Sequence, residues 1–218
     1  LFDSLYLPQD ISLHRSMQRH VKSFTLWIIC MDKNTYFILG ELDLPNVKLL
    51  FIDDLETNEL LAVKSDRSKG EYCWTLTPFA PKFVFNQDIS IDRVTYIDAD
   101  LWFRKDPEEI FLELDTSGKG VLITDHNYAP MYDQSATSGQ YCVQFMTFKR
   151  NDGELVRSWW EERCLEWCYA RFEDGKFGDQ KYLDDWTVRF EGVHVLQHLG
   201  GGVAPWNVQQ YDLSDPCF

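Results

Sequence analysis

Long apolar runs are missing from this chain. No uninterrupted stretch approaches the roughly 20 residues that cross a bilayer, and no secretory signal pattern is visible. The expectation is a cytoplasmic protein with no transmembrane segment in this stretch, with attachment at the membrane periphery left open. The first residue is not Met, so a chain trimmed at both ends is expected. Basic residues are also scarce: 21 Lys and Arg stand against 35 Asp and Glu, a net charge of -14. That balance argues against nucleic acid as a partner. An acidic protein still binds a nucleotide when a divalent cation sits between carboxylates and phosphates. The six cysteines, Cys30, Cys73, Cys142, Cys164, Cys168 and Cys217, form no CxxC pair. Cys164 and Cys168 stand four apart with no second Cys or His pair to complete a zinc site. Reduced core thiols in a reducing compartment are the reading. Repeats, low-complexity tracts and long linkers are absent too, which leaves one α/β domain over 1–218 as the expectation.

Aromatic residues, by contrast, make up 15% of the chain and include eight Trp. So many large rings imply a packed core and surfaces on which bases or sugars stack. The apolar pattern alternates strand and helix. Leu13 to Val21 reads as helix, 24–30 as a buried strand, and Asp32 as the cap of a helix through Leu39. Val47 to Ile52 is a strand, Glu56 to Lys64 a helix, and 72–85 a helix that Pro78 and Pro81 kink or divide. Strands follow at Val94 to Ile97, Val121 to Thr124, Val143 to Phe148 and Val193 to Leu196. Glu154 to Phe172 reads as one long helix, stopped at Asp174-Gly175, with a core-facing stripe of Trp159, Trp160, Cys164, Trp167 and Cys168. The alternation predicts a mostly parallel central sheet with helices on both faces, and ligands beyond the carboxyl ends of its strands.

The sharpest chemical signal is Tyr96-Ile97-Asp98-Ala99-Asp100-Leu101-Trp102. An apolar strand runs into two carboxylates separated by one small residue. In an extended segment alternate side chains share a side, so Asp98 and Asp100 converge on one cation. Hard oxygen ligands suit Mg²⁺ or Mn²⁺. A phosphatase of the aspartyl-phosphate type also uses DxD at a strand end. It would carry a Thr soon after the second Asp, where this chain has Leu101-Trp102-Phe103. Read without further context, the pair is equally an acidic turn at a strand end.

The YIDAD segment resembles the metal-binding DxD of GT-A glycosyltransferases. Tyr72-Cys73-Trp74-Thr75-Leu76 looks like the helix leading into that motif in glycogenin-like family 8 enzymes. Gly178-Asp179-Gln180 resembles their Gly-Asp-Gln segment, and His198, Gly201, Pro205 and Trp206 resemble their HxxGxxxPW segment. Phe2-Asp3-Ser4-Leu5-Tyr6-Leu7-Pro8 resembles the donor-nucleotide loop after the first strand. Overall the chain is similar to a bacterial group of glycosyltransferases linked to lipopolysaccharide. The resemblance covers most of the chain, with its motifs in order. It implies a GT-A (Rossmann-like) α/β fold and a retaining hexosyltransferase that takes its sugar from a nucleotide-diphosphate donor, UDP-sugar first. The acceptor would be a saccharide or glycolipid. It further implies Asp98, Asp100 and His198 as Mn²⁺ or Mg²⁺ ligands, Tyr6 against the base, Asp3 on base or ribose, and Asp179 and Gln180 at the donor sugar.

Beside these stand readings from the residues alone: His198 as a cap on the last strand, Tyr6 as a core aromatic, Asp179 as a helix N-cap, and Asp184 and Asp185 as solvated helix residues. The chain also departs from the family pattern. Cys142-Val143-Gln144 replaces an Asn and Gly that help hold the donor sugar, so Cys142 is the donor-site residue in question. Ala204 replaces the Lys before Pro-Trp, which leaves Lys64, Arg67 or Lys69 as candidates for the diphosphate by charge. These departures keep a second class in view, a catalytically silent nucleotide- or sugar-binding protein on the same fold.

Overall fold

The computed structural model describes residues 1–215 and 218, and Cys217 lies outside them. Two compact units divide the chain: 1–66 with 98–106, and 67–97 with 107–218.

In the first unit, helix α1 (Leu7–His20) precedes strand β1 (Leu26–Cys30), helix α2 (Lys33–Leu42), strand β2 (Val47–Phe51) and helix α3 (Asn58–Lys64). β1 and β2 pair in parallel, Leu26 opposite Val47 through Cys30 opposite Phe51. Phe2 adds a parallel bridge at Cys30. Its carbonyl accepts from Met31 N–H at 3.0 Å. α1 starts six residues earlier than its apolar pattern suggests. Tyr6 takes the N-cap and Pro8 falls in the first turn, where a missing N–H costs no hydrogen bond. Asp32 caps α2 as expected, its carboxylate accepting Thr35 N–H at 2.8 Å. Leu13 and Met17 of α1, Ile28 and Ile29 of β1 and Leu39 of α2 are buried.

The second unit holds α4 (Lys69–Leu76), α5 (Phe79–Gln87), β3 (Arg93–Ile97), α6 (Glu108–Ser117), β4 (Val121–Asp125), α7 (Ser135–Ser138), β5 (Tyr141–Lys149), α8 (Glu154–Glu166), α9 (Trp186–Arg189) and β6 (Val193–Val195). Pro78 divides α4 from α5, while Pro81 sits inside the first turn of α5. The sheet order is β3-β5-β4-β6. β4 and β6 are parallel, but β5 runs antiparallel to both neighbours. The sheet is therefore mixed rather than mostly parallel. Its two faces do carry helices. On one, Phe148 of β5 stacks on Trp160 of α8, in a cluster with Val143, Met146, Val156, Cys164 and Trp186. On the other, Phe145 stacks on Phe111 of α6.

The expected 154–172 helix ends at Glu166, and Trp167 turns extended. The reason lies outside the helix. In a continued helix the carbonyls of Cys164 and Leu165 would accept from Cys168 and Tyr169. Instead the Arg67 guanidinium donates to both at 3.1 Å and lies over the Tyr169 ring. Arg67 is buried and caps a helix end, so it is not the diphosphate-binding cation that its charge alone suggested. The apolar stripe stands: Trp160, Cys164 and Cys168 are fully buried, and Trp159 packs against them. Among the described residues no helix is long and apolar enough to cross a membrane.

Candidate functional site

In the first unit the 3–6 loop is a compact turn. Asp3 Oδ1 accepts Leu5 N–H at 3.0 Å, and the Asp3 carbonyl accepts Tyr6 N–H at 3.0 Å. Asp32 holds the same loop through Ser4 N–H at 2.8 Å. Partial burial works to raise the Asp32 carboxyl, but the N–H donors of Thr35, Ser4 and Asn34 outweigh it and keep the group below the usual carboxylate range. Tyr6 is 49% exposed, which corrects the core-aromatic reading and leaves its ring available for stacking.

The DxD segment belongs to this unit as well. Asp98 to Leu101 is a turn, closed by Leu101 N–H on the Asp98 carbonyl at 3.3 Å. Asp98 and Asp100 therefore do not share one side of an extended segment: the strand stops at Ile97, and the two carboxylates hang from a turn. The segment lies along α1. Ser16 Oγ accepts Phe103 N–H at 3.0 Å, Asp106 accepts Lys22 N–H at 2.8 Å, and Arg19 sits over the Trp102 ring. This brings Asp100 to the start of α1. A cavity of about 370 Å³ is lined by Leu5, Pro8, Gln9, Ser12, Asp100, Leu101 and Trp102. Lys64, a candidate for the diphosphate, is paired with Glu56 at 2.6 Å.

In the second unit the Gly-Asp-Gln segment packs on the 135–140 turn. Gly178 has a left-handed φ of 52°, and a Cβ there would meet the Trp74 ring at 3.2 Å, so two constraints favour glycine. Asp179 occupies the N-cap position of a 3-10 turn (Gln180–Asp185) without a capping side-chain bond, and it is only 2% exposed. Its carbonyl accepts Trp160 Nε1–H at 2.8 Å. Gln180 Nε2 donates to Ser138 C=O at 2.7 Å. Asp184 is not a solvated residue: it accepts from Gln140 N–H at 2.8 Å and Lys181 Nζ at 2.7 Å. Asp185 is exposed beside Arg189.

Cys142 is buried on β5, opposite Thr124. Its neighbours Tyr141 and Val143 belong to the core cluster, so Cys142 projects to the other face. Gln144 is buried too, and Ala204 is buried with its N–H on Asn207 Oδ1 at 2.8 Å. His198 caps a short turn: Nδ1 accepts Gly200 N–H at 3.2 Å, and Nε2 meets Glu109 at 3.1 Å. The capping role read from the residues is thus present, on the turn after the last strand. Among the described residues no group of three or more His, Cys, Asp or Glu is gathered as metal ligands. As donors, the Asp98 and Asp100 oxygens fit a hard divalent cation. Both nitrogens of His198 are engaged within its own unit.

Sequence reading passed over a cluster that follows β4. His126 stacks on Tyr128 at 4.6 Å and meets Trp206 edge-on. Its ring Nδ1 lies 3.1 Å from the Gln140 carbonyl, and its own carbonyl accepts from Trp206 Nε1 and Asn207 Nδ2. Burial holds the imidazole below its usual pKa, against the pull of the Gln140 carbonyl. Burial also pushes the Tyr128 phenol up to about 12. Asp125 braces the loop through Asn127 N–H and Gln140 Nε2. The available signal was the one used for the DxD: polar residues, Asp125-His126, directly after an apolar strand.

No family model matches the chain. It is 34% identical over 215 residues to the uncharacterized protein YfnF of Bacillus subtilis (strain 168), covering 95% of this chain and 71% of that protein. The chain belongs to the YfnF family. Another relative of this YfnF-family chain, the uncharacterized protein YfnD of the same organism, is 31% identical, and the chain spans 65% of it. Among solved structures, mouse xyloside xylosyltransferase 1 in its apo form superposes with a TM-score of 0.55 at 15% identity, over 88% of this chain and 79% of that one. The YfnF-family chain thus has the GT-A glycosyltransferase fold, the α/β class expected from its motifs.

Proposed function

We propose that the chain is the catalytic domain of a metal-dependent glycosyltransferase. It takes a hexose-type sugar from a nucleotide-diphosphate donor, UDP-sugar first, and passes it with retention to a glycan or lipopolysaccharide-type acceptor. The observation that carries this reading is the cavity in which Asp100 of the DxD faces the loop and first turns of α1, where the resemblance puts the nucleotide. In the reaction the bond from the anomeric carbon to the diphosphate oxygen breaks, its electron pair staying on the diphosphate; the bond to an acceptor hydroxyl oxygen forms, and the hydroxyl proton passes to the leaving diphosphate.

Asp98 and Asp100 would hold Mn²⁺ or Mg²⁺, which when bound supplies charge neutralisation for the leaving diphosphate. The other roles fall to the chain itself. The exposed ring of Tyr6 stacks on the base, and Asp3 holds base or ribose from its turn. Asp179 and Gln180 orient the donor sugar from a rigid buried segment, where fixed dipoles stabilise the oxocarbenium-like transition state. His198 joins as a ligand only if its Nε2 leaves Glu109. Cys142, on the face of β5 away from the core cluster, takes the place of the usual sugar-binding Asn.

The buried Gln144 and the side-chain-poor Ala204 favour the second reading, a silent nucleotide- or sugar-binding protein. Donor hydrolysis separates the two. With Mn²⁺ present, the wild-type chain should release UDP from a panel of UDP-sugars. Excess EDTA, or an Asp100→Ala change that keeps the native circular dichroism, should abolish the release. Hydrolysis that survives both treatments rules the metal role out, and no hydrolysis of any donor leaves the silent reading.

A further inference from the structure

The turn that leads into β5 is held from outside itself. Its helix α7 is a single turn of four residues, shorter than any helix that holds itself in water. Side chains from the Gly-Asp-Gln segment hold it instead. Gln180 Nε2 donates to the Ser138 carbonyl at 2.7 Å, and Lys181 Nζ donates to the Ser135 carbonyl at 2.7 Å. Asp184 ties the far end. One of its oxygens accepts Gln140 N–H at 2.8 Å, and the other accepts from Lys181 Nζ at 2.7 Å. The Gln140 side chain continues the chain of bonds to Asp125, at the end of β4. The backbones approach as closely as the side chains do. At Gly139, with a φ of 105°, a Cβ would meet Asp184 Oδ1 at 3.1 Å and Lys181 Cα at 3.4 Å.

The segment that does the holding is itself rigid. Leu183 and Trp186 are fully buried, and Trp160 Nε1–H donates to the Asp179 carbonyl. Lys181 is 12% exposed and Asp184 32%, so solvent and salt screen their ion pair less than a surface pair. The consequence falls on Gln180. Its amide has a donor end and an acceptor end. Flipped, Oε1 would face the Ser138 carbonyl, acceptor against acceptor. With Ser138 fixed in place that flip is closed. Oε1 is turned away from Ser138 and accepts from no described residue. One end of the amide is committed to the turn, and the other is left for a ligand.

We propose that Lys181 and Asp184 are positioning residues for Gln180: by clamping the 135–140 turn, they fix which end of its amide meets the donor sugar. The orientation of the amide rests on these hydrogen bonds alone; its effect on transfer rests on the glycosyltransferase reading. Neither residue need touch the donor. Loss of either should let the turn drift and the Gln180 amide rotate, while nucleotide and metal still bind.

The test uses the whole ¹⁵N-labelled chain, without ligand at first. The Gln180 side-chain amide pair is identified by its loss in Gln180→Glu. Its hydrogen exchange should accelerate about fivefold or more in Asp184→Ala and in Lys181→Met, the loss of one hydrogen bond's protection. Asp184→Asn keeps an acceptor for Gln140 N–H and should recover part of the protection. Lys181→Met leaves the Gln140 bond in place and decides the matter alone if the Ala variant loses its native circular dichroism. Donor hydrolysis with Mn²⁺ is then compared. In the Ala and Met variants kcat should fall about tenfold, with UDP–Mn²⁺ affinity within about twofold of wild type, and Asp184→Asn should again lie between. A Gln180 amide unchanged in both variants overturns the clamp. An amide set free with kcat unchanged, or with kcat and UDP–Mn²⁺ affinity lost together, overturns the positioning role. A wild type that hydrolyses no donor sinks the glycosyltransferase reading instead, and the amide exchange still decides the clamp.

Discussion

Asp10 shows how burial alone sets the behaviour of one residue. It lies on the first turns of α1, almost fully buried, and its Oδ2 has no hydrogen-bond partner. Burial pushes the carboxyl up from 3.8 to about 6. The same surroundings raise the buried Cys30 thiol to about 12, by burial above all, with the Asp10 and Asp32 carboxylates adding to it. The folded chain therefore holds the Asp10 proton more tightly than the unfolded chain. Its contribution is fully favourable below the unfolded pKa and falls as pH rises through the window from 3.8 to about 6. A two-unit shift corresponds to about 3 kcal/mol lost by neutral pH. Asp10→Asn should remove that slope and raise stability near neutrality. Urea unfolding of wild type and variant at pH values spanning about 4 to 7 checks this. Parallel profiles would mean that the Asp10 carboxyl does not titrate in that window. Nothing in the sequence singled Asp10 out. An Asp in a first helical turn reads as an ordinary dipole partner, and only the packing of α1 on its unit makes it costly.

The elements were legible where a local rule fixes them. Asp32 before an apolar-periodic segment announced the cap of α2, and Pro78 announced the break between α4 and α5, because cap and proline act within one turn of chain. The end of α8 was not legible. The carbonyls of Cys164 and Leu165 are claimed by Arg67, almost a hundred residues earlier, and no local pattern encodes that. The DxD segment shows the same limit. Its carboxylates were visible, but the turn at Asp98 to Leu101 and its anchoring on α1 were not. That anchoring is testable. Ser16 Oγ accepts Phe103 N–H and donates to the Leu13 carbonyl at 2.7 Å. Ser16→Ala leaves the Phe103 amide without its acceptor, a cost of about 1–3 kcal/mol. Amide exchange at Phe103 should accelerate, and UDP–Mn²⁺ affinity should fall more than global stability does. Unchanged exchange at Phe103 would show that the segment is held by other contacts.

For the whole molecule, ligand linkage gives the broadest test. Two carboxylates near a diphosphate repel it unless a cation lies between them, by several kcal/mol at contact distance and an effective dielectric of about 20. Nucleotide and metal should then bind together. At a hundred times its dissociation constant, UDP with Mn²⁺ should stabilise the fold by roughly 2.7 kcal/mol. That corresponds to about 5 °C or more in the midpoint of thermal unfolding. UDP alone or Mn²⁺ alone should do far less, and GDP, CMP and dTDP serve as controls. A shift with none of these nucleotides at millimolar concentration would leave the fold without the donor site proposed for it.

The sequence by itself determined the α/β class, the Asp32 cap, the apolar strands and the order of the motifs that mark the GT-A fold. All of these depend on neighbours within a few residues, or on residue types at fixed spacing. It also presented Asp98 and Asp100 as candidate chemistry, because two carboxylates after an apolar strand stand out in one dimension, and Asp179 and Gln180 through the resemblance of the Gly-Asp-Gln segment. Only the tertiary structure decided the direction of β5, since the hydrophobic pattern of a buried strand is the same whichever way it runs. Only it converted Arg67 from a candidate phosphate ligand into a helix cap, and decided between a core ring and an exposed one for Tyr6. And only it brought Asp100 and Trp102 into one cavity with Leu5, Gln9 and Ser12, because burial and proximity between residues far apart in the chain are properties of the packed chain alone.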